Sequence, residues 1–168
     1  MKKIILLIAL TITSMVTSAQ SFFDVLEDMD GVDMVVVNKD MFELLSKFNP
    51  DKMKDNKAMQ IFAMINDLKS FKMFSTDDSF IADKMEVMTN TAIKKNNLTE
   101  LMRIKEDDSR IKIYVKSTKN KEYVSEVLMF IKGIDKQTKG ISKSMIISLT
   151  GSIDINKMSD LADTFKQN

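Results

Sequence analysis

The sequence predicts one α+β domain behind an export signal, with an antiparallel β-meander in its C-terminal half and amphipathic helices packed on the sheet. Three observations lead there. The first twenty residues carry the three-part pattern of a signal peptide. Apolar residues then recur at helical spacing in several segments up to Ala92. From Leu98 onward the period changes to two and stays there through successive segments.

MKKIILLIALTITSMVTSAQS opens with Lys2 and Lys3, runs through apolar residues 4–10, and turns small and more polar. Thr17 and Ala19 occupy the −3 and −1 places of a cleavage site, so Gln20 is the expected new N-terminus. The apolar run falls short of the about 20 residues that a membrane span requires, and a buried N-terminal helix is its structural alternative. With no Cys there is no lipidated-cysteine anchor. The expected product is exported, periplasmic or secreted and not a lipoprotein, with no membrane span after cleavage. Residues 1–19 are then the signal peptide and residues 20–168 a single domain.

Phe22, Val25, Leu26 and Met29 make one helix face, which Asp30-Gly31 ends, with Gly31 as C-cap because glycine accepts positive φ. The β-branched run at residues 32–37 reads as a buried strand. Asn38 is placed to cap the next helix. Met41, Phe42, Leu44, Leu45 and Phe48 form that helix's apolar face, and Asn49-Pro50-Asp51 breaks it. A further helix starts near Asp55. Residues 71–74 suit a short strand, and Ser75-Thr76-Asp77-Asp78 has the form of a capping box ending in Asp. The helix behind it repeats Ile81, Met85, Met88 and Ala92. It ends at Lys94, Lys95 and Asn96-Asn97, where cations suit a helix C-terminus.

LTELMRIKED is the next strand and ends in an acidic turn. RIKIYVKST alternates, with Ile111, Ile113 and Val115 on one face and Lys112, Tyr114 and Lys116 on the other. KEYVSEVLMFI is apolar on both faces over residues 127–131, as a central strand, or one covered on both sides, would be. Residues 133–143 are polar and read as a loop. SMIISLTG is the last strand, and Met158, Leu161, Ala162 and Phe165 form a final helix face. The spacing of that face matches Met41, Leu44, Leu45 and Phe48, a match any amphipathic helix also produces.

Between the last strand and the last helix, Ser148, Thr150, Ser152 and Asp154 place a hydroxyl or a carboxylate at every second position. Strand geometry sets Ser148 and Thr150, with Ile146 among them, opposite Met145, Ile147 and Leu149, on a polar or edge-facing side. Gly151 supplies a turn. Asp154 is the expected N-cap of the last helix, with Ser152 as second choice. The line reads as strand, turn and cap rather than as catalysis.

Composition prunes the chemistry. With 25 Lys+Arg against 24 Asp+Glu the formal net charge is +1, and losing Lys2 and Lys3 takes it to −1. A near-neutral chain offers no electrostatic case for nucleic acid, which needs a basic face. The absence of His and Cys removes Ser-His-Asp triads, cysteine nucleophiles, Cys/His zinc sites and thiol redox chemistry. No disulfide framework is available to an exported chain without Cys, so packing must hold the fold. Carboxylate pairs, a Ser-Lys pair and an all-oxygen metal site stay open.

Each candidate for those chemistries has a structural reading beside it. Glu27, Asp28, Asp30 and Asp33 surround Gly31, but a calcium loop counted from Asp28 puts Gly31 at the wrong place and Lys39 where Glu is needed. Glu106-Asp107-Asp108 suits a turn, and Asp77-Asp78 a helix N-terminus. The 15 methionines are spread among Leu, Ile and Phe as core filler, not gathered as a Cu(I) site. Ser142-Lys143-Ser144 and Ser70 near Lys69 and Lys72 are the only suggestive Ser/Lys neighbours, and no Gly-x-Ser-x-Gly elbow accompanies them.

FFDVLEDMDGVDMVVVNKDMFELL, LMRIKEDDSRIKIYVK and SMIISLTGSIDINKMSDLAD, in that order and spacing, resemble the exported bacterial family catalogued as domain of unknown function 4252. The resemblance covers nearly all of residues 20–168. It implies a signal peptide, a single domain and a Gram-negative cell envelope. It implies no activity and no catalytic residues. The resemblance leaves function open, and an export signal with a foldable domain and no catalytic constellation gives the expected function: a non-enzymatic envelope protein that binds an unidentified partner or ligand, with no cofactor. An enzyme using carboxylates or an oxygen-ligated metal, and a structural subunit assembling through an exposed strand edge, stand as alternatives.

Overall fold

The computed structural model describes residues 23–46, 67–134 and 142–155. The signal peptide with Ala19 and Gln20, the helix expected near Asp55, most of the loop at residues 135–141 and the final helix face fall outside the described residues. The chain runs through α1 (Asp24–Glu27), β1 (Asp33–Asn38), α2 (Lys39–Ser46), β2 (Leu68–Thr76) and α3 (Ser79–Asn96). It continues through β3 (Thr99–Glu106), β4 (Ser109–Ser117), β5 (Tyr123–Lys132) and β6 (Ser144–Asp154). The described strands form one six-stranded sheet in the order β1-β2-β6-β5-β4-β3, and every neighbouring pair is antiparallel. The expected meander is there as β3 to β6, and the β1–β2 pair extends it on the β6 side. The fold is α+β.

Strand alternation gives the sheet two apolar faces. On one, Phe74, Ile146, Leu128, Phe130 and Tyr114 pack with Met85 and Ala92 of α3 and with Phe23 and Leu26 at α1. Phe23 and Phe74 meet as a tilted ring pair with centroids 6.0 Å apart. On the other, Leu68, Val115, Val124, Val127 and Ile153 pack with Phe42 of α2. That second layer is why residues 127–131 are apolar on both sides. The reading of β5 as a central strand holds.

Asn38 Oδ1 accepts from the Met41 amide at 3.1 Å and caps α2. α3 begins after Asp78 and ends at Asn97, whose φ of 53° closes the helix in the left-handed region. Asp107, with φ 48°, sits in the tight turn between β3 and β4.

Other expectations are corrected. The run at residues 32–37 is not buried. β1 is an edge strand, with Met34 50%, Val35 44% and Val36 43% exposed. α1 is a single turn stopping at Glu27, with Asp28 rather than Gly31 as its C-cap. In α2, Phe42 is buried while Met41 and Leu44 stay exposed; the side chains of Leu45 and Phe48 fall outside the described residues. The strand expected over residues 71–74 extends to Leu68–Thr76. The capping box at residues 75–78 does not form. Asp78 is itself the N-cap, and its own amide donates to Thr76 Oγ1 at 3.2 Å.

Tyr114, expected beside Lys112 and Lys116 on the polar face, lies in the core because α3 covers that side. The same helix turns the expected polar side of β6 inward. Ser144 and Ile146 are fully buried, and Ser148 is nearly so. Gly151 does not turn the chain, because β6 runs on to Asp154. Gly151 has φ 146°, and a Cβ there would overlap the backbone carbonyl of Asp67. It marks an irregularity in the β2–β6 pairing next to Lys69, where only glycine allows so close an approach.

Candidate functional site

The register of the sheet builds a row of cations that no single strand announces. The two-residue turn Asp107-Asp108 sets Lys105 of β3 opposite Arg110 of β4, and Arg110 is opposite Lys132 of β5. Directly paired residues share a face, so three cations stand side by side across three strands. All three line a cleft of about 550 Å³ at the N-terminal end of α3, with Ser79 and Lys143 on its opposite side.

The three cations are not equivalent. Lys132 Nζ donates to Glu86 Oε2 at 2.7 Å and to Asp83 Oδ1 at 2.9 Å, both on α3. Those two bonds raise the Lys132 ammonium above its ordinary value. Lys143 Nζ donates to Ser79 Oγ at 3.1 Å. Among the described residues, neither Lys105 nor Arg110 has a carboxylate within ion-pair distance. Like charges directly opposite on paired strands are destabilising.

The backbone around the cleft is tightly specified. Gly133 has φ 74°, and any Cβ would overlap the carbonyl oxygen of Asp108. The end of β5 therefore lies directly against the β3–β4 turn. Ser109 Oγ donates to Gly133 O at 2.8 Å, and Gly133 N donates to Lys143 O at 2.9 Å. Asp78, at the start of α3, accepts from Ile81 N and Phe80 N, which hold its carboxyl below the ordinary value.

A second polar row crosses the same face six residues further back along β5. Ser70, Thr150 and Glu126 are cross-strand neighbours, and Glu126 opposes Lys116. Ser70 Oγ and Thr150 Oγ1 are 2.7 Å apart. Glu126 is buried and accepts from Asn96 Nδ2 at 3.2 Å at the far end of α3. Burial pushes its carboxyl up, while the Asn96 bond and the Lys116 charge work against that. Six strand residues separate Glu126 from Lys132, roughly 20 Å. The buried acid and the cleft are therefore separate features.

The residues singled out in sequence do not assemble into one site. Ser152 lies in β6, and its amide donates to Asp67 O. Asp154 is the last residue of β6, directly before Ile155. The helix it would cap lies outside the described residues. Ser142 Oγ donates to Ser144 O at 3.0 Å and Ser144 Oγ to Ile131 O at 3.0 Å, so both hydroxyls bond backbone carbonyls. Lys72 is held by Glu27 at 2.7 Å and Asp24 at 3.0 Å, away from Ser70. Among the described residues no group of three or more acidic side chains could hold a metal ion. No described helix is long and apolar enough to cross a membrane.

Sequence reasoning passed over Lys105, Arg110 and Lys132, and also Glu126. The first pair had a usable signal: two residues of tight turn between two alternating strands fix their register, which puts Lys105 opposite Arg110. Lys132 and Glu126 had none, because their surroundings come from α3.

A family model described as a domain of unknown function (DUF4252) matches residues 23–161. No curated protein and no solved structure matches the chain.

Proposed function

The chain belongs to the DUF4252 family, and from that premise we propose that it is an exported, non-enzymatic interaction module of the cell envelope. Export rests on residues 1–19 and the Ala19/Gln20 cleavage pattern. The interaction role rests on one observation, the β1 edge. Asp33–Asn38 carries Met34 and three consecutive valines and reads as a strand covered on both faces, yet it stands exposed at the rim of the sheet.

The two edges differ in a way that picks one. β3 bears Arg103 and Lys105 and has an irregularity between Glu100 and Met102, and both charge and bulge discourage strand addition. β1 pairs with β2 in unbroken register and carries no Lys, Arg or Pro. An extended segment of a partner added beside β1 would satisfy its outer backbone groups and cover the valines.

A second copy of the chain is the alternative occupant. DMVVVN is nearly self-complementary when paired antiparallel about Val35 and Val36, with Asp33 against Asn38 and every apolar residue against another. A photoreactive residue at Val36 in the exported protein tests both. An adduct with one other envelope protein, lost in Val35→Lys, supports the partner. An adduct of twice the mass, lost in the same variant, assigns the second copy. No adduct, or one indifferent to Val35→Lys, overturns the edge as the binding surface.

A further inference from the structure

We propose that the cleft at the N-terminal end of α3 binds a phosphate group, with Lys105 and Arg110 as its ligands. Lys105 and Arg110 face each other on adjacent strands, and Arg110 in turn faces Lys132. The fold neutralises Lys132 with two carboxylates from α3 and leaves the other two cations without an ion pair among the described residues. Opposed like charges work against the β3–β4 pairing. An oxyanion between them reverses the sign of that interaction.

The geometry suits a compact dianion. Arg110 offers a planar fork that takes two oxygens at once, and Lys105 offers a point charge beside it. The cleft, about 550 Å³, is large enough for phosphate together with what it is attached to. Gly133 has no side chain, and its close approach to Asp108 brings the ends of β3, β4 and β5 together around it. Asp107 and Asp108 line the same cleft. Their carboxylates disfavour an extended polyanion in the cleft.

The shared chemistry is a phosphate, free or on a lipid headgroup, and the experiment separates the two sources. The full exported protein is titrated calorimetrically with inorganic phosphate at low salt. In parallel it is sedimented with vesicles of equimolar phosphatidic acid and phosphatidylcholine, and with vesicles of phosphatidylcholine alone. Saturable binding of phosphate assigns a free ligand, and binding only to the phosphatidic acid vesicles assigns a headgroup. In either case Lys105→Gln and Arg110→Gln should each weaken binding by about tenfold or more, and Lys121→Gln, away from the cleft, should not. Without phosphate, Lys105→Gln should melt at the same temperature as wild type or higher, because it removes a repulsion. Failure to bind in both arms, or equal binding by the two cleft variants and wild type, overturns the site. So does a loss of binding that tracks a lowered melting temperature.

Discussion

Asn96, in the last turn of α3, donates its side-chain amide to the carboxylate of Glu126, a buried residue of the central strand β5, at 3.2 Å. The bond ties the end of the long helix to the middle of the sheet, and it does not fully offset the burial of the acid, whose pKa is raised. A folded state that holds this proton more tightly than the unfolded chain loses stability when the proton leaves. The loss sets in as pH rises from the ordinary carboxylate range through the raised value, and is complete above it. Glu126→Gln should therefore melt higher than wild type at about pH 8 and lose that advantage towards about pH 4. Thermal melts of both proteins at the two pH values check this. A gap that does not change with pH would show that Glu126 is not the group responsible.

Asp78 has the opposite sign. Amide donation from Ile81 and Phe80 at the start of α3 holds its carboxyl low. Its contribution is present above the ordinary carboxylate range and fades as pH falls through the lowered value. Asp78→Ala should lower the melting temperature at neutral pH, with the deficit closing in strong acid. Asp78→Asn should recover most of it at neutral pH, because Asn also caps. Equal melting of wild type and Asp78→Ala at neutral pH would remove the cap from the account of α3.

Gly133 is expected to be intolerant. With φ at 74° and the Asp108 carbonyl where a Cβ would go, Gly133→Ala must both strain the backbone and push the β3–β4 turn away from β5. Chemical denaturation should show a loss of at least about 1–3 kcal/mol. Any residual folded protein should bind phosphate less well. A variant as stable as wild type would mean that the turn moves freely against β5.

The export reading is checked at the N-terminus. Intact-mass or N-terminal analysis of the exported protein should find Gln20 first, with residues 1–19 removed. Met1 retained on the exported protein would end the claim.

Features set within a few residues were legible without the fold. Asn38 caps α2 because its side chain reaches an amide three residues on. The C-terminal end of α3, the Asp107-Asp108 turn and the alternation of β4 follow from the same short-range geometry of backbone and rotamer. The α+β class and the meander from β3 to β6 follow from periodicity, since a change from 3.6 to 2 needs no distant partner to be seen.

What only the tertiary structure decided is which side of each strand is inside and which strand stands at the rim. Period two says that Tyr114 faces opposite to Val115. It does not say that α3 lies over the tyrosine and buries it along with Ser148 and Ile146. Three valines in a row say that β1 can be covered on both faces, while the order β1-β2-β6-β5-β4-β3 puts it at the rim, with Val35 and Val36 exposed. The order depends on pairings such as Phe74 with Ile146, between residues far apart in the chain. Those pairings are selected by summed burial across the whole sheet rather than by any local preference. The charge row at Lys105, Arg110 and Lys132 has the same origin. Each cation is unremarkable on its own strand, and antiparallel register alone brings the three side by side.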